Sequence, residues 1–263
     1  MDTIKIDKVT KVYRRSHLGR VTETTGVSGL SLNIPEGEIF GLLGLNGSGK
    51  TTTIKLILGL LYPTCGCVEV LGKQVPDSKV LSGVGYLPEA TYLNKYLSGE
   101  ETVRLFATIS GIPAARRSEA VNRVLDRVGM SAVKNKKVSD YSKGMLQRIS
   151  IAQALVHDPD ILVFDEPITG LDPLALKEIR QLIMWLKQQG RTVFFSSHNI
   201  SEVERVCDRL GILVNGKLER VVEKKEWENR DGQLEEIFVS TVERSDKVGP
   251  INFRDMQEKG RGK

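Results

Sequence analysis

The run EIFGLLGLNGSGKTTTIKLILGLL, residues 38–61, decides how the rest of the chain is read. It begins as an apolar strand over 38–43. It then breaks into a glycine-rich loop, Gly44, Leu45, Asn46, Gly47, Ser48, Gly49, Lys50, Thr51 and Thr52, and resumes as a helix over 51–61. Strand, loop and helix in that order are the setting in which G-x-x-x-x-G-K-[ST] cradles a triphosphate. Glycines let the backbone close around phosphate oxygens with successive N–H groups pointing inward. The helix start adds its dipole. Lys50 would reach the β- and γ-phosphates, and Thr51 would offer its hydroxyl to Mg2+.

Outward from this loop, strand-like runs fall at 4–12, 68–71, 84–87, 161–164, 192–196, 210–214 and 218–221. Helix-like runs fall at 174–188 and 200–206. The alternation predicts an α/β fold with a mostly parallel sheet. Residues 90–157 break it. LSGEETVRLFATISG, ARRSEAVNRVLDRVG and the helix after Ser142 carry no strand pattern, with Pro113 and Gly129 as breaks. A helical subdomain inserted in the α/β core is expected there.

The 263 residues are 40% hydrophobic and 27% charged, which fits a globular chain with a real core. No apolar run reaches the length of a membrane span. The start, MDTIKIDKVTKVY, alternates like a strand and lacks the layout of a signal peptide, so an intracellular protein is expected. A net charge of +5 permits anionic partners and selects none. Cys65, Cys67 and Cys207 lack the spacing of a metal site and read as small buried hydrophobes.

ILVFDEPITGLD places two acids, Asp165 and Glu166, at the end of an apolar strand. Ligands gather at such strand ends in open parallel sheets. Asp165 is placed to hold a metal through water, and Glu166 to polarise an attacking water as general base, unless the pair is surface charge. His198 ends TVFFSSH, as a γ-phosphate contact or a structural histidine.

A second helix start stands far from the first. In DYSKGMLQRISIAQAL, residues 140–155, Ser142 reads as an N-cap, and Ile149, Ala152, Leu155 and Val156 line one helix face. With Gly144 beside it, this start also suits an anion.

These elements together resemble the nucleotide-binding subunit of ATP-binding-cassette (ABC) transporters over residues 2–242. GLNGSGKTT matches Walker A, GYLPE the Q-loop, YSKGM the signature, ILVFDEP Walker B, TGLD the D-loop and SSH the switch histidine, all in the family's order. The resemblance implies a P-loop NTPase with a RecA-like core, the inserted helical subdomain and an N-terminal antiparallel β subdomain. Residues 243–263 remain as a polar, basic tail, expected to be disordered.

The resemblance also implies roles. Tyr13 lies where the family stacks an aromatic on adenine; a core aromatic on an edge strand is the alternative. Two cassettes pack head to tail, so Ser142, Lys143, Gly144 and Met145 would close on the nucleotide of a second copy or a paralogous subunit. Asp172 would link the two sites. Glu89 replaces the usual Gln and can still bind Mg2+. Tyr-Ser-Lys-Gly-Met replaces Leu-Ser-Gly-Gly-Gln. Glu89, Lys143 to Met145 and LEEIFVSTV near the end are similar to the ABC-2 type exporter branch. This implies an ATPase on the cytoplasmic face of a membrane. A separate transmembrane permease subunit would dock near Glu89 and residues 90–101. A soluble cassette acting on nucleic acid or ribosomes is the alternative. No long heptad-rich insertion splits the cassette, so no nucleic acid partner is expected. A small-molecule kinase would leave the signature, Asp172 and His198 without a role.

Overall fold

The computed structural model describes residues 2–17, 20–90 and 92–245. In chain order the elements are β1 (Asp2–His17), β2 (Arg20–Pro35), β3 (Ile39–Leu43), α1 (Lys50–Ile57), β4 (Cys65–Val70), β5 (Lys73–Gln74), α2 (Ser78–Leu81) and β6 (Val84–Leu87). Then come α3 (Gly99–Ile109), α4 (Ala114–Arg127), α5 (Lys143–Leu155), β7 (Ile161–Phe164) and α6 (Pro173–Gln188). The last are β8 (Thr192–Ser197), α7 (Ile200–Val206), β9 (Arg209–Val214), β10 (Lys217–Glu223) and α8 (Gln233–Ser245).

Two sheets form. The first has the order β2-β1-β4-β5 and is antiparallel. The second has the order β10-β9-β3-β8-β7-β6 and is parallel except at the β9–β10 edge. β3, β7 and β8 are buried along their whole length, as strands covered on both faces must be. Their side chains alternate between two cores. Ile39, Leu43, Leu162, Phe164, Val193 and Phe195 face the core shared with α3–α6. Phe40, Leu42, Ile161, Val163 and Phe194 face the core shared with α1 and the antiparallel sheet, where the Phe40 and Phe194 rings stack at 5.9 Å.

Several expectations shift. The strand expected at 4–12 runs to His17 and pairs antiparallel with β2, which fits the expected antiparallel subdomain but lies outside the strand-like runs. Its signal was present: Leu30, Leu32 and Ile34 alternate and are buried. The helix expected over 51–61 ends at Ile57, because Gly59 at φ +62° takes the left-handed position that stops a helix. Cys207 is buried, but Cys65 is exposed at the start of β4, so the buried reading fails for it. α8 makes residues 243–245 helical, and the rest of the expected tail lies outside the described residues.

Residues 90–157 carry α3, α4 and α5 and, among the described residues, one isolated bridge, Ser98 with Lys137. α3 opens with a capping box in which Ser98 accepts the Glu101 N–H and Glu101 accepts the Ser98 N–H. Pro113 is the N-cap of α4, and Gly129 follows its end at φ +68°.

Candidate functional site

The carboxyl ends of β3, β6, β7 and β8 lie side by side, because the strand order places them so. Each end supplies part of one cleft of about 690 Å³.

From β3 comes the phosphate loop. Gly44 has no room for a β-carbon, since the Ser48 hydroxyl and the Leu213 carbonyl occupy that space. Gly49 sits at φ +108° as the N-cap of α1 and offers no side-chain cap. The first N–H groups of α1 therefore have no side-chain acceptor and are suited to anionic oxygens. Lys50 folds into the cleft. Its Nζ donates to the carbonyls of Gly44 at 2.8 Å and Leu45 at 3.3 Å, and lies 3.3 Å from Glu166 Oε1. Both side chains of this ion pair are only 7% exposed.

From β7 come the acids. Asp165 is buried behind the cleft wall, where its Oδ1 accepts the Ser196 hydroxyl at 2.7 Å. The same hydroxyl oxygen accepts the Glu166 N–H at 3.0 Å. Glu166 holds φ +50°, an uncommon backbone state for a non-glycine residue. Its Oε2 accepts the Thr169 hydroxyl at 3.2 Å and lies 2.8 Å from His198 Nδ1. Lys50 and His198 thus grip the two carboxylate oxygens of Glu166 from opposite sides. Burial and the negative charges of Asp165 and Glu89 push the Tyr86 phenol upward.

Tyr13 reaches the cleft from the antiparallel sheet, with its hydroxyl 3.1 Å from Thr52 Oγ1. The cleft brings together Tyr13, Asn46, Gly47, Gly49, Lys50, Thr51, Thr52, Glu89, Glu166 and His198. It leaves out others. Leu45 is exposed, and the Ser48 hydroxyl is buried without a hydrogen-bond partner. Asp172 caps α6, accepting the N–H groups of Leu174 and Ala175. Ser142 caps α5, accepting the Met145 N–H at 3.3 Å, and Met145 packs against the core. Lys143 is exposed, and Gly144 lines a different hollow beside Ala175 and Trp185.

A glycine-framed helix start with its lysine paired to an acid after the neighbouring strand, and a separate capped helix start on the inserted helices, match one family. The sequence profile of the ABC transporter family fits residues 27–169. The chain belongs to the ABC transporter family. An ABC transporter ATP-binding protein of Nostoc is 45% identical over 210 residues, 79% of this chain and 62% of its own length. A Synechocystis relative is 40% identical over 80% of this chain and 60% of its own. The chain thus spans a little over half the length of these two. A bacitracin transport ATP-binding protein of Enterococcus faecalis is 38% identical over 90% of this chain and 74% of its own. Among solved structures, an ATP-binding subunit of an ABC transporter aligns with TM-score 0.77 at 27% identity, covering 91% of this chain and 99% of that one. A dimeric ATP-binding cassette bound to ADP and phosphate aligns with TM-score 0.75 at 27% identity, covering 85% and 100%. The fold of this ABC chain is therefore that of the P-loop cassette.

Sequence reasoning missed five residues of the site. Thr24, Thr25 and Gly26 line the cleft from β2, and finding that strand would have found them. Thr169 and Ser196 hold the two acids; they lie inside TGLD and SSH, stretches that single out Asp172 and His198 and not them.

Proposed function

We propose that this chain hydrolyses ATP as the cassette subunit of an exporter and drives a separate transmembrane permease subunit by ATP-dependent pairing of two cassettes. The observation that carries this reading is the cleft in which Lys50, Thr51 and Tyr13 face Glu166 and His198, while Ser142 to Gly144 stand outside it. The first helix start serves the chain's own nucleotide. The second serves a nucleotide held elsewhere.

Tyr13 stacks on adenine, the loop from Gly44 to Thr52 holds the phosphates, and His198 contacts the γ-phosphate. The residues present suit Mg2+ bound through phosphate. Among the described residues no cluster of three or more acids, histidines or cysteines forms a protein-only cage. Thr51 and Glu89 would contact the ion, with Asp165 behind them. The ion would neutralise charge on the transferring phosphoryl group. Glu166, once Lys50 turns toward phosphate, has Oε1 free to take a proton from water. Asp172 lies at the start of α6, where the two sites would meet. Export is supported by the bacitracin transport relative and by Lys143 and Met145 in the signature. Association with the cytoplasmic face of a membrane would come through the permease, since no described helix is long and apolar enough to cross.

The test is the mass of Glu166→Gln protein by light scattering, with and without Mg-ATP. A monomer that becomes a dimer only with ATP is expected. A monomer in both conditions, with ATP binding demonstrated, overturns self-pairing through Ser142 and Gly144.

A further inference from the structure

The α5 helix, which carries the signature, is tied to the segment that carries the general base. Gln147 lies five residues after the Ser142 cap. Its Nε2 donates to the carbonyl of Pro167 at 2.6 Å, in a partly buried position. Pro167 directly follows Glu166, whose backbone sits in the left-handed region at φ +50°. A non-glycine residue holds that state only where its surroundings fix it. Here Lys50 and His198 meet the carboxylate oxygens and the Thr169 N–H donates to the Glu166 carbonyl at 3.3 Å, and three further side-chain bonds hold the segment. The Ser196 hydroxyl accepts the Glu166 N–H, the Thr169 hydroxyl donates to the carboxylate, and Gln147 holds the next carbonyl. Ser196 belongs to the parallel sheet and Thr169 to the same loop as Glu166. Gln147 is the one among the three that comes from the helical subdomain. A second contact runs alongside it: the Lys143 ammonium lies against Gly170, in the space a β-carbon there would fill.

We infer that Gln147 is a positioning residue for hydrolysis: it sets where the Glu166 carboxylate points and makes that position follow the orientation of α5. The inference rests on the proposed role of Glu166 as general base. It adds a link within one chain. A nucleotide seated on Ser142 pulls on α5, α5 pulls on Pro167 through Gln147, and the general base of the same chain moves. The effect of displacing a base by a fraction of an ångström falls on the chemical step and not on binding.

The experiment uses the full chain and five proteins: parent, Gln147→Leu, Gln147→Glu, Glu166→Gln and the double variant with Gln147→Leu in the Glu166→Gln background. Gln147→Glu keeps the shape and loses the donor. Both Gln147 variants should lower kcat for Mg-ATP by about tenfold to a hundredfold with KM and ADP affinity unchanged. In the Glu166→Gln background, Gln147→Leu should cost nothing further, because its effect passes through Glu166. Thermal unfolding checks that the variants are folded, and if Gln147→Leu fails to fold, Gln147→Glu decides. Turnover within twofold of the parent in the Gln147 variants, together with loss in Glu166→Gln, overturns this inference alone. A full further loss in the double variant also overturns it, as a merely structural role would predict. Parent-like turnover in Glu166→Gln overturns the base assignment itself, and this inference falls with it.

Discussion

The two helix starts that suit an anion are built differently. α1 begins at Gly49, which caps nothing with a side chain, and its Lys50 is buried and paired with Glu166. α5 begins at Ser142, whose hydroxyl already accepts the Met145 N–H, and its Lys143 is exposed. The first start is enclosed by residues from four strand ends. The second has Lys143 against Gly170 and Gly144 beside Ala175, and its Ser142 and Lys143 stay exposed. The difference teaches that an anion-facing helix end is only half a site. What surrounds it decides whether one chain suffices.

The sharpest way to break this contrast is Lys50→Ala. It removes the cation paired with Glu166, the group proposed to hold phosphate, and should lower turnover by about a hundredfold or more. Nucleotide binding measured by calorimetry and turnover measured by phosphate release check it. Unchanged activity would make the phosphate-loop reading untenable.

A smaller effect is expected at the second start. Ser142→Ala should leave binding of ATP to the single chain intact and weaken ATP-driven pairing about tenfold, since one hydrogen bond to a charged group is lost. It also removes a cap, at about 1 kcal/mol of stability. Sedimentation with Mg-ATP separates these effects. A loss of ATP affinity in the monomer would erase the distinction between the two starts.

The smallest effect lies at the far end of α5. His157 is partly buried against the Val84 carbonyl, and that burial lowers its affinity for a proton in the folded state. The unfolded chain therefore takes up the proton first as pH falls. Stability is fully present above the ordinary histidine value of 6.5 and declines as pH drops below it. Chemical denaturation across that range should show a shallower decline in His157→Gln. An identical pH slope would show that this end of α5 carries no such linkage.

Legibility in the sequence followed the range of the interactions. β3, β7 and β8 were plain because each is a short, wholly apolar run, and buried parallel strands leave that mark. Ser142 was plain because a cap acts within three residues. β2 was passed over because its first half, RVTETT, is polar, although Leu30, Leu32 and Ile34 alternate behind it. Tyr13 was found and its neighbours Thr24 and Thr25 were not, since they reach the cleft only by pairing β2 with β1. Thr169 and Ser196 lie inside TGLD and SSH, yet nothing local shows which acid each holds, and Gln147 left no signal. Each is an ordinary polar residue whose partner is chosen by the fold.

By itself the sequence determined the chemistry of the phosphate loop, the apolar strands and the acids that end one of them, because glycine freedom, apolar periodicity and capping act over a few residues. The tertiary structure decided that Lys50 meets Glu166, that His198 closes on the same carboxylate, and that Gln147 holds the carbonyl beyond it. Those contacts depend on β3, β8 and β7 lying in that order and register and on α5 packing beside them. Strand order is fixed by the burial of two whole cores, a sum over the chain that no local stretch contains.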